Sequence, residues 1–142
     1  MDHCSIKENV GVSLHDCRTD HIEYAGEAVT FRFPKGFYFL EGDRSAEDRP
    51  AQMRCHIADH DPDGFSASVC RKNRFGKVIR EDWSQKLIPA INSGRCEFEF
   101  VTTYRAYGEI LFRGYLWFDK KPYHIACEIE LHTDEITYTR LA

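Results

Sequence analysis

Spaced carboxylates, histidines and thiols are the side chains here with the chemistry to act on, or hold, another molecule. Asp59-His60-Asp61-Pro62-Asp63-Gly64 opens like a calcium loop: alternate carboxylates converge on a hard cation and the glycine permits a sharp turn. The match ends there, because Cys70 stands where the loop needs its bidentate glutamate and Pro62 interrupts the run. Asp59, Asp61 and Asp63 read first as an acidic turn between strands, with cation binding left as an open alternative. His15-Asp16-Cys17, with His21 beyond it, is a second group of ligand-type residues, and Cys55-His56 with His60 is a third. On a strand Cys55 and His56 point to opposite faces and do not readily share a metal. A thiol nucleophile at Cys17 needs partners assembled by the fold, which adjacency does not supply. The chain carries no Gly-x-Ser-x-Gly elbow, no phosphate loop and no Gly-x-Gly-x-x-Gly. The expectation is therefore no catalytic residue, no metal ligand and no cofactor.

A different set of candidates follows Gly94. Glu97 and Glu99 alternate with Cys96, Phe98 and Phe100, and Glu128 and Glu130 alternate with Cys127, Ile129 and Leu131. Such alternation places the glutamates on the wet face of half-buried strands. If those strands are neighbours, the four carboxylates form an acidic stripe suited to a basic partner. Segment 109–118 breaks the pattern, with Ile110, Phe112, Leu116 and Phe118 on one side and Leu111, Tyr115 and Trp117 on the other. Its second apolar side is either covered by the chain's one helix, which is the first expectation, or meets a partner or ligand. Tyr115, Trp117, Glu97, Glu99, Glu128 and Glu130 are accordingly the candidate partner-binding residues.

The elements that must position these residues are mostly strands. Weak strand patterns occupy 10–15 and 18–24, and Ala25-Gly26-Glu27 reads as a tight turn. A clear period of two follows over 28–33, then a continuous apolar run over 37–40 that needs cover on both sides. Residues 41–50 read as a solvated loop. Strands at 51–58 and 65–70 flank the acidic turn and suggest a hairpin, with Met53, Cys55 and Ile57 facing inward. A helix is expected over about 82–93, opened by an Asp82/Gln85 capping box and kinked or broken by Pro89. Strands at 96–104, 109–118, 123–131 and 136–141, joined by short turns, predict a four-stranded antiparallel meander.

Composition sets the frame. With 142 residues, 42% hydrophobic and 30% charged, the chain is ordinary globular material sized for a single domain over 1–142. Ten Phe, seven Tyr and two Trp favour pleated surfaces. A net charge of -4 offers no overall field for phosphate backbones, and no run approaches about 18 uninterrupted apolar residues, so neither a nucleic-acid nor a membrane partner is expected. Met1-Asp2-His3-Cys4-Ser5-Ile6-Lys7-Glu8 lacks the basic and apolar regions of an export signal. The six cysteines (Cys4, Cys17, Cys55, Cys70, Cys96 and Cys127) include no Cys-x-x-Cys, so reduced thiols in a cytoplasmic protein are the expectation. Three of them, Cys55, Cys96 and Cys127, fall on apolar faces as small hydrophobes.

Ser13-Leu14-His15-Asp16-Cys17-Arg18, Phe33-Pro34-Lys35-Gly36-Phe37 and the passage from Leu87-Ile88-Pro89 to Glu97-Phe98-Glu99-Phe100 together resemble a group of short bacterial β-rich proteins of unassigned activity. The resemblance implies a bacterial, cytoplasmic, single-domain protein and brings no site residues with it. The predicted fold is mainly β, a β-rich α+β chain: an antiparallel curved sheet or partly open barrel of about eight or nine strands with one helix inserted near 82–93. The function this favours is a non-enzymatic binding protein for a protein partner or a second copy of itself, an immunity-type inhibitor being one form by analogy of size and class. The alternative is a small-molecule carrier with an apolar cavity inside a lipocalin-like sheet, and a metal-dependent or thiol hydrolase ranks third.

Overall fold

A computed structural model of the chain describes residues 4–7, 11–39, 49–57 and 63–141, with the side chains of 4–7 and 39 undescribed. The strands, in chain order, are β1 (Cys4–Lys7), β2 (Val12–Ser13), β3 (Arg18–Thr19), β4 (His21–Ala25), β5 (Ala28–Phe33), β6 (Tyr38–Phe39), β7 (Ala51–Ile57), β8 (Phe65–Lys72) and β9 (Val78–Asp82). After α1 (Leu87–Asn92) come β10 (Cys96–Ala106), β11 (Glu109–Phe118), β12 (His124–Leu131) and β13 (Thr133–Arg140). They build a five-stranded sheet in the order β1-β13-β7-β5-β4 and a six-stranded sheet in the order β3-β10-β11-β12-β8-β9, with β2 and β6 as a separate pair. Every pairing is antiparallel, and the sheets do not close into a barrel. The mainly β fold with one helix is as expected. The strand tally is higher because 18–24 divides into β3 and β4, and because β1 and β9 lie outside the segments read as strands.

Phenylalanines explain why the two sheets face each other. Period two puts Val29, Phe31 and Phe33 of β5 on one apolar side and Phe98, Phe100 and Phe112 of β10 and β11 on another, all buried. The rings interlock across the gap, with Phe31 5.8 Å from both Phe100 and Phe112, and Phe33 5.2 Å from Phe100. Each such burial is worth about 1.5–3 kcal/mol, so joining the faces outweighs leaving either wet. The space that a carrier's cavity would need is filled here by phenyl rings.

Two sequence-based pairings are overturned. Strands β7 and β8 are not a hairpin: β7 pairs with β5 and β13, and β8 with β9 and β12, so the chain between them crosses from one sheet to the other. Both strands carry a fully apolar side, and each buries it in its own sheet across the core from the other. The meander is likewise three-stranded, because β13 leaves β12 at His132 and joins the five-stranded sheet. Buried threonines secure the crossovers. Thr133 Oγ1 donates to the His56 carbonyl at 2.6 Å, and Thr19 Oγ1 donates to the Arg32 carbonyl at 2.7 Å.

The helix lies within the expected 82–93 segment but is shorter, occupying only its second half. Asp82 caps no helix; it ends β9 and accepts from the Ser84 amide and hydroxyl at 2.9 and 2.7 Å. Lys86 is the N-cap, which places Pro89 in the first turn, where its missing N–H costs no bond and no kink arises. Leu87, Ala90 and Ile91 are buried in the core, and Asn92 is bonded to β4 through Ile22 N and O at 2.9 and 2.8 Å. The helix thus packs on β4 and β10 and does not cover Leu111, Tyr115 and Trp117. No helix among the described residues is long and apolar enough to cross a membrane.

Candidate binding site

Register carries all six predicted residues to the outer face of the six-stranded sheet. Trp117 lies between Glu97 and His124, Tyr115 between Glu99 and Ala126, Arg113 between Thr102 and Glu128, and Leu111 between Tyr104 and Glu130. The four glutamates are half-buried and Tyr115 is exposed. Rings stack along this face: His124 sits 4.9 Å from Trp117 and 5.4 Å from Tyr115, and the Arg18 guanidinium lies over the Trp117 ring, 4.7 Å from its centroid. Trp117 Nε1 donates to Glu99 Oε1 at 3.1 Å.

The acidic stripe, however, is paired within the molecule. Arg18 Nη1 lies 3.6 Å from Glu97 Oε1; Arg113 Nε and Arg80 Nη2 lie 3.4 and 3.7 Å from the two oxygens of Glu128. His132 Nε2 lies 3.9 Å from Glu130 and 3.7 Å from Glu109. Sequence reading placed the glutamates correctly and missed their partners, since Arg18 and Arg80 come from β3 and β9, strands too short or too irregular to be paired by pattern.

The free charge lies at one end of the same sheet. The β8–β12 ladder stops at Cys70 and Ala126, while β8 continues beside β9 to Lys72/Val78 and β12 beside β11 to Trp117/His124. The two hairpins therefore diverge, and between them opens a cleft of about 850 Å³. Half-buried Trp83, Phe118 and Ile125 line its depth, and exposed Tyr115 and His124 connect it to the aromatic row. Exposed Lys72, Arg95, Lys120 and Lys121 line it too. None of these four has a carboxylate within ion-pair distance among the described residues. Glu81 does not neutralise them: it accepts from Arg71 at 3.1 Å, from the Trp83 indole at 3.3 Å and from Lys86 at 3.4 Å. Those bonds, Lys86 first and Trp83 next, hold its carboxyl below the usual range.

The other candidates are dispersed. His15 is exposed, with Nδ1 donating to the Val101 carbonyl at 2.9 Å and Nε2 3.4 Å from Asp16. Cys17 is buried against the carbonyls of Ser13 and His15. Cys55 is buried and His56 faces outward, as alternation requires. Asp59, His60 and Asp61 lie outside the described residues; Asp63 is exposed at the start of the return strand. Among the described residues one ligand-type cluster gathers: Glu109, Glu130 and His132, with ligand atoms all within 4.8 Å. Its sequence signal was Glu130-x-His132 at the end of β12, which the β11–β12 register, with Ile110 beside Leu131, sets next to Glu109. No disulfide joins the five cysteines whose side chains are described. Burial pushes Cys96 up to about 11 and Cys127 higher, the opposite of what a nucleophile needs.

Comparison of the chain with protein-family models, with curated proteins and with solved structures finds no match, so function rests on this geometry.

Proposed function

We propose that the protein is a non-enzymatic binding protein that holds a protein partner against the outer face of its six-stranded sheet. The observation that carries this reading is the stacked row Tyr115–His124–Trp117, which leads directly into the cleft between the hairpins. Aromatic anchors beside a recess with a polar surround are the anatomy of a protein interface. A stoichiometric binder needs no nucleophile of lowered pKa, and the buried thiols here are raised. The aromatic row and the cleft border replace the acidic stripe as the contact region, because the stripe's glutamates already have partners: Arg18 for Glu97, the Trp117 indole for Glu99, Arg80 and Arg113 for Glu128, and His132 for Glu130.

The test compares the native chain with a Tyr115→Ala/Trp117→Ala variant of unchanged circular dichroism as bait in the native extract. Capture of one protein by the native chain, loss of it in the variant, and a 1:1 complex in sedimentation with the purified pair are expected. Capture indifferent to both substitutions overturns the proposal.

A further inference from the structure

We infer that the cleft between the β8–β9 and β11–β12 hairpins is a docking groove for a short acidic peptide segment, carboxylates on both sides of an apolar side chain, contributed by the partner protein. This inference rests on the reading of the molecule as a binding protein and names the chemistry of what it binds.

Positive charge gathers unmatched at one place among the described residues. The chain holds 19 Lys and Arg against 23 Asp and Glu, so an average cation finds an acid easily. On the outer face Arg18, Arg80 and Arg113 have done so, and beside the cleft Arg71 and Lys86 share Glu81. Lys72, Arg95, Lys120 and Lys121 come from three separate parts of the chain, line one recess and have no such acid among the described residues. The β8–β9 turn extends the same edge with Lys77 and with Arg74, whose guanidinium stands 5.0 Å over exposed Phe75. Like charges gathered without partners repel one another and favour an anion from outside.

The recess also demands an apolar component. Trp83, Phe118 and Ile125 line it, and the Trp83 indole N–H is already committed to Glu81, so the ring offers its apolar surface. A leucine or phenylalanine side chain fits that lining, with carboxylates at hand for Lys72 on one hairpin and for Lys120 and Lys121 on the other.

Length of the anion separates the sources. A nucleic-acid strand would run from the cleft onto the outer face, where Glu97, Glu99, Glu128 and Glu130 stand in its path. A bilayer presents a plane, whereas these cations surround a recess. A short acidic segment satisfies the cations and ends before the glutamates.

The test selects displayed random dodecapeptides on the folded full chain. A selected peptide is then titrated, fluorescein-labelled, beside an oligothymidylate and vesicles containing phosphatidylglycerol. Enrichment of Asp and Glu around Leu, Ile, Phe or Trp is expected, with affinity falling at least about tenfold in Lys120→Glu/Lys121→Glu and in Arg95→Glu, and falling with added salt. Enrichment of basic or neutral peptides, no enrichment, indifference to both charge reversals, or tighter binding of the oligonucleotide or vesicles overturns the groove. Peptides lost in Trp117→Ala but kept in the charge-reversed variants overturn the groove while leaving the binding-protein reading intact.

Discussion

The middle of the six-stranded sheet and its hairpin end use the same kinds of residue to opposite purposes. In the middle, aromatic rings and charges are spent on each other: Arg18 lies on Trp117, Trp117 donates to Glu99, and two arginines hold Glu128. At the end, four cations and a group of half-buried rings stand around a recess with their valences open. Self-satisfied polar networks make a surface rigid and leave little to offer a partner. Unsatisfied ones contribute nothing to folding and are available for binding. The two regions share strands β11 and β12, so substitutions can be placed on either side of the divide in one framework.

The largest effect belongs to the middle. Gly114 lies opposite a bulge between Phe100 and Thr102, and a Cβ there would overlap the Glu99 carbonyl and press on the Phe98 ring. The obstacle is backbone, which cannot rotate aside, so Gly114→Ala forces β10 and β11 apart. A loss of about 3 kcal/mol or more is expected from urea midpoints at unchanged m-value. A variant as stable as the native chain would mean that the sheet centre yields as readily as its end.

Gly114 also marks how far the sequence could be read. Alternation made the facing of Phe98, Phe100, Phe112, Glu97, Glu128 and Trp117 legible, because a side chain's face depends only on its own strand. Which strand lies beside which was not legible where the connection is long or turns a corner. The sequence after Ile57 reads as a hairpin turn, yet the strands on either side of it belong to different sheets, and the strands that meet at His132 do too. The cleft was invisible for a related reason. It exists because one ladder stops two residues before its neighbours, a property of three registers together that no single segment encodes.

A smaller loss is expected from Arg18→Ala. The guanidinium covers Trp117 and pairs with Glu97, and both partners are partly solvated, so removal costs about 0.5–1 kcal/mol by thermal or urea unfolding. Indole fluorescence should shift to longer wavelength as Trp117 is uncovered. No shift would mean that the stack does not persist in solution.

The five-stranded sheet supplies a self-satisfied charge cluster with a pH signature. His56 Nδ1 lies 2.6 Å from Asp134 and Nε2 lies 3.2 Å from Glu27, and only the imidazolium donates from both nitrogens. The bond to Asp134, then that to Glu27, raises the His56 pKa above the ordinary value, while Asp134 is lowered by His56. A raised folded pKa gives stabilisation that is complete below the unfolded histidine value and is lost as pH rises through the folded one. The lowered Asp134 works in the reverse sense, present above the unfolded carboxylate value and lost as pH falls through the folded one. His56→Gln should remove the alkaline fall, read as the difference in urea midpoint between pH 6 and pH 9. Equal pH profiles for the two proteins would break the cluster.

The smallest effect on folding is expected where the largest effect on binding is proposed. Lys120 and Lys121 are exposed, hold no carboxylate among the described residues, and share the cleft with Lys72 and Arg95. Replacing both by glutamine removes repulsion and no attraction, so stability should stay within about 0.5 kcal/mol of native or rise slightly. The rise should be greatest at low ionic strength, where the Debye length grows beyond the roughly 10 Å of 0.1 M salt and like charges are least screened. A loss of more than about 1 kcal/mol would show that these lysines hold the hairpins together and would dissolve the contrast with Arg18 and Arg113. If the contrast stands, the chain maintains four charges at an energetic disadvantage in one recess, and their use lies in what the recess receives.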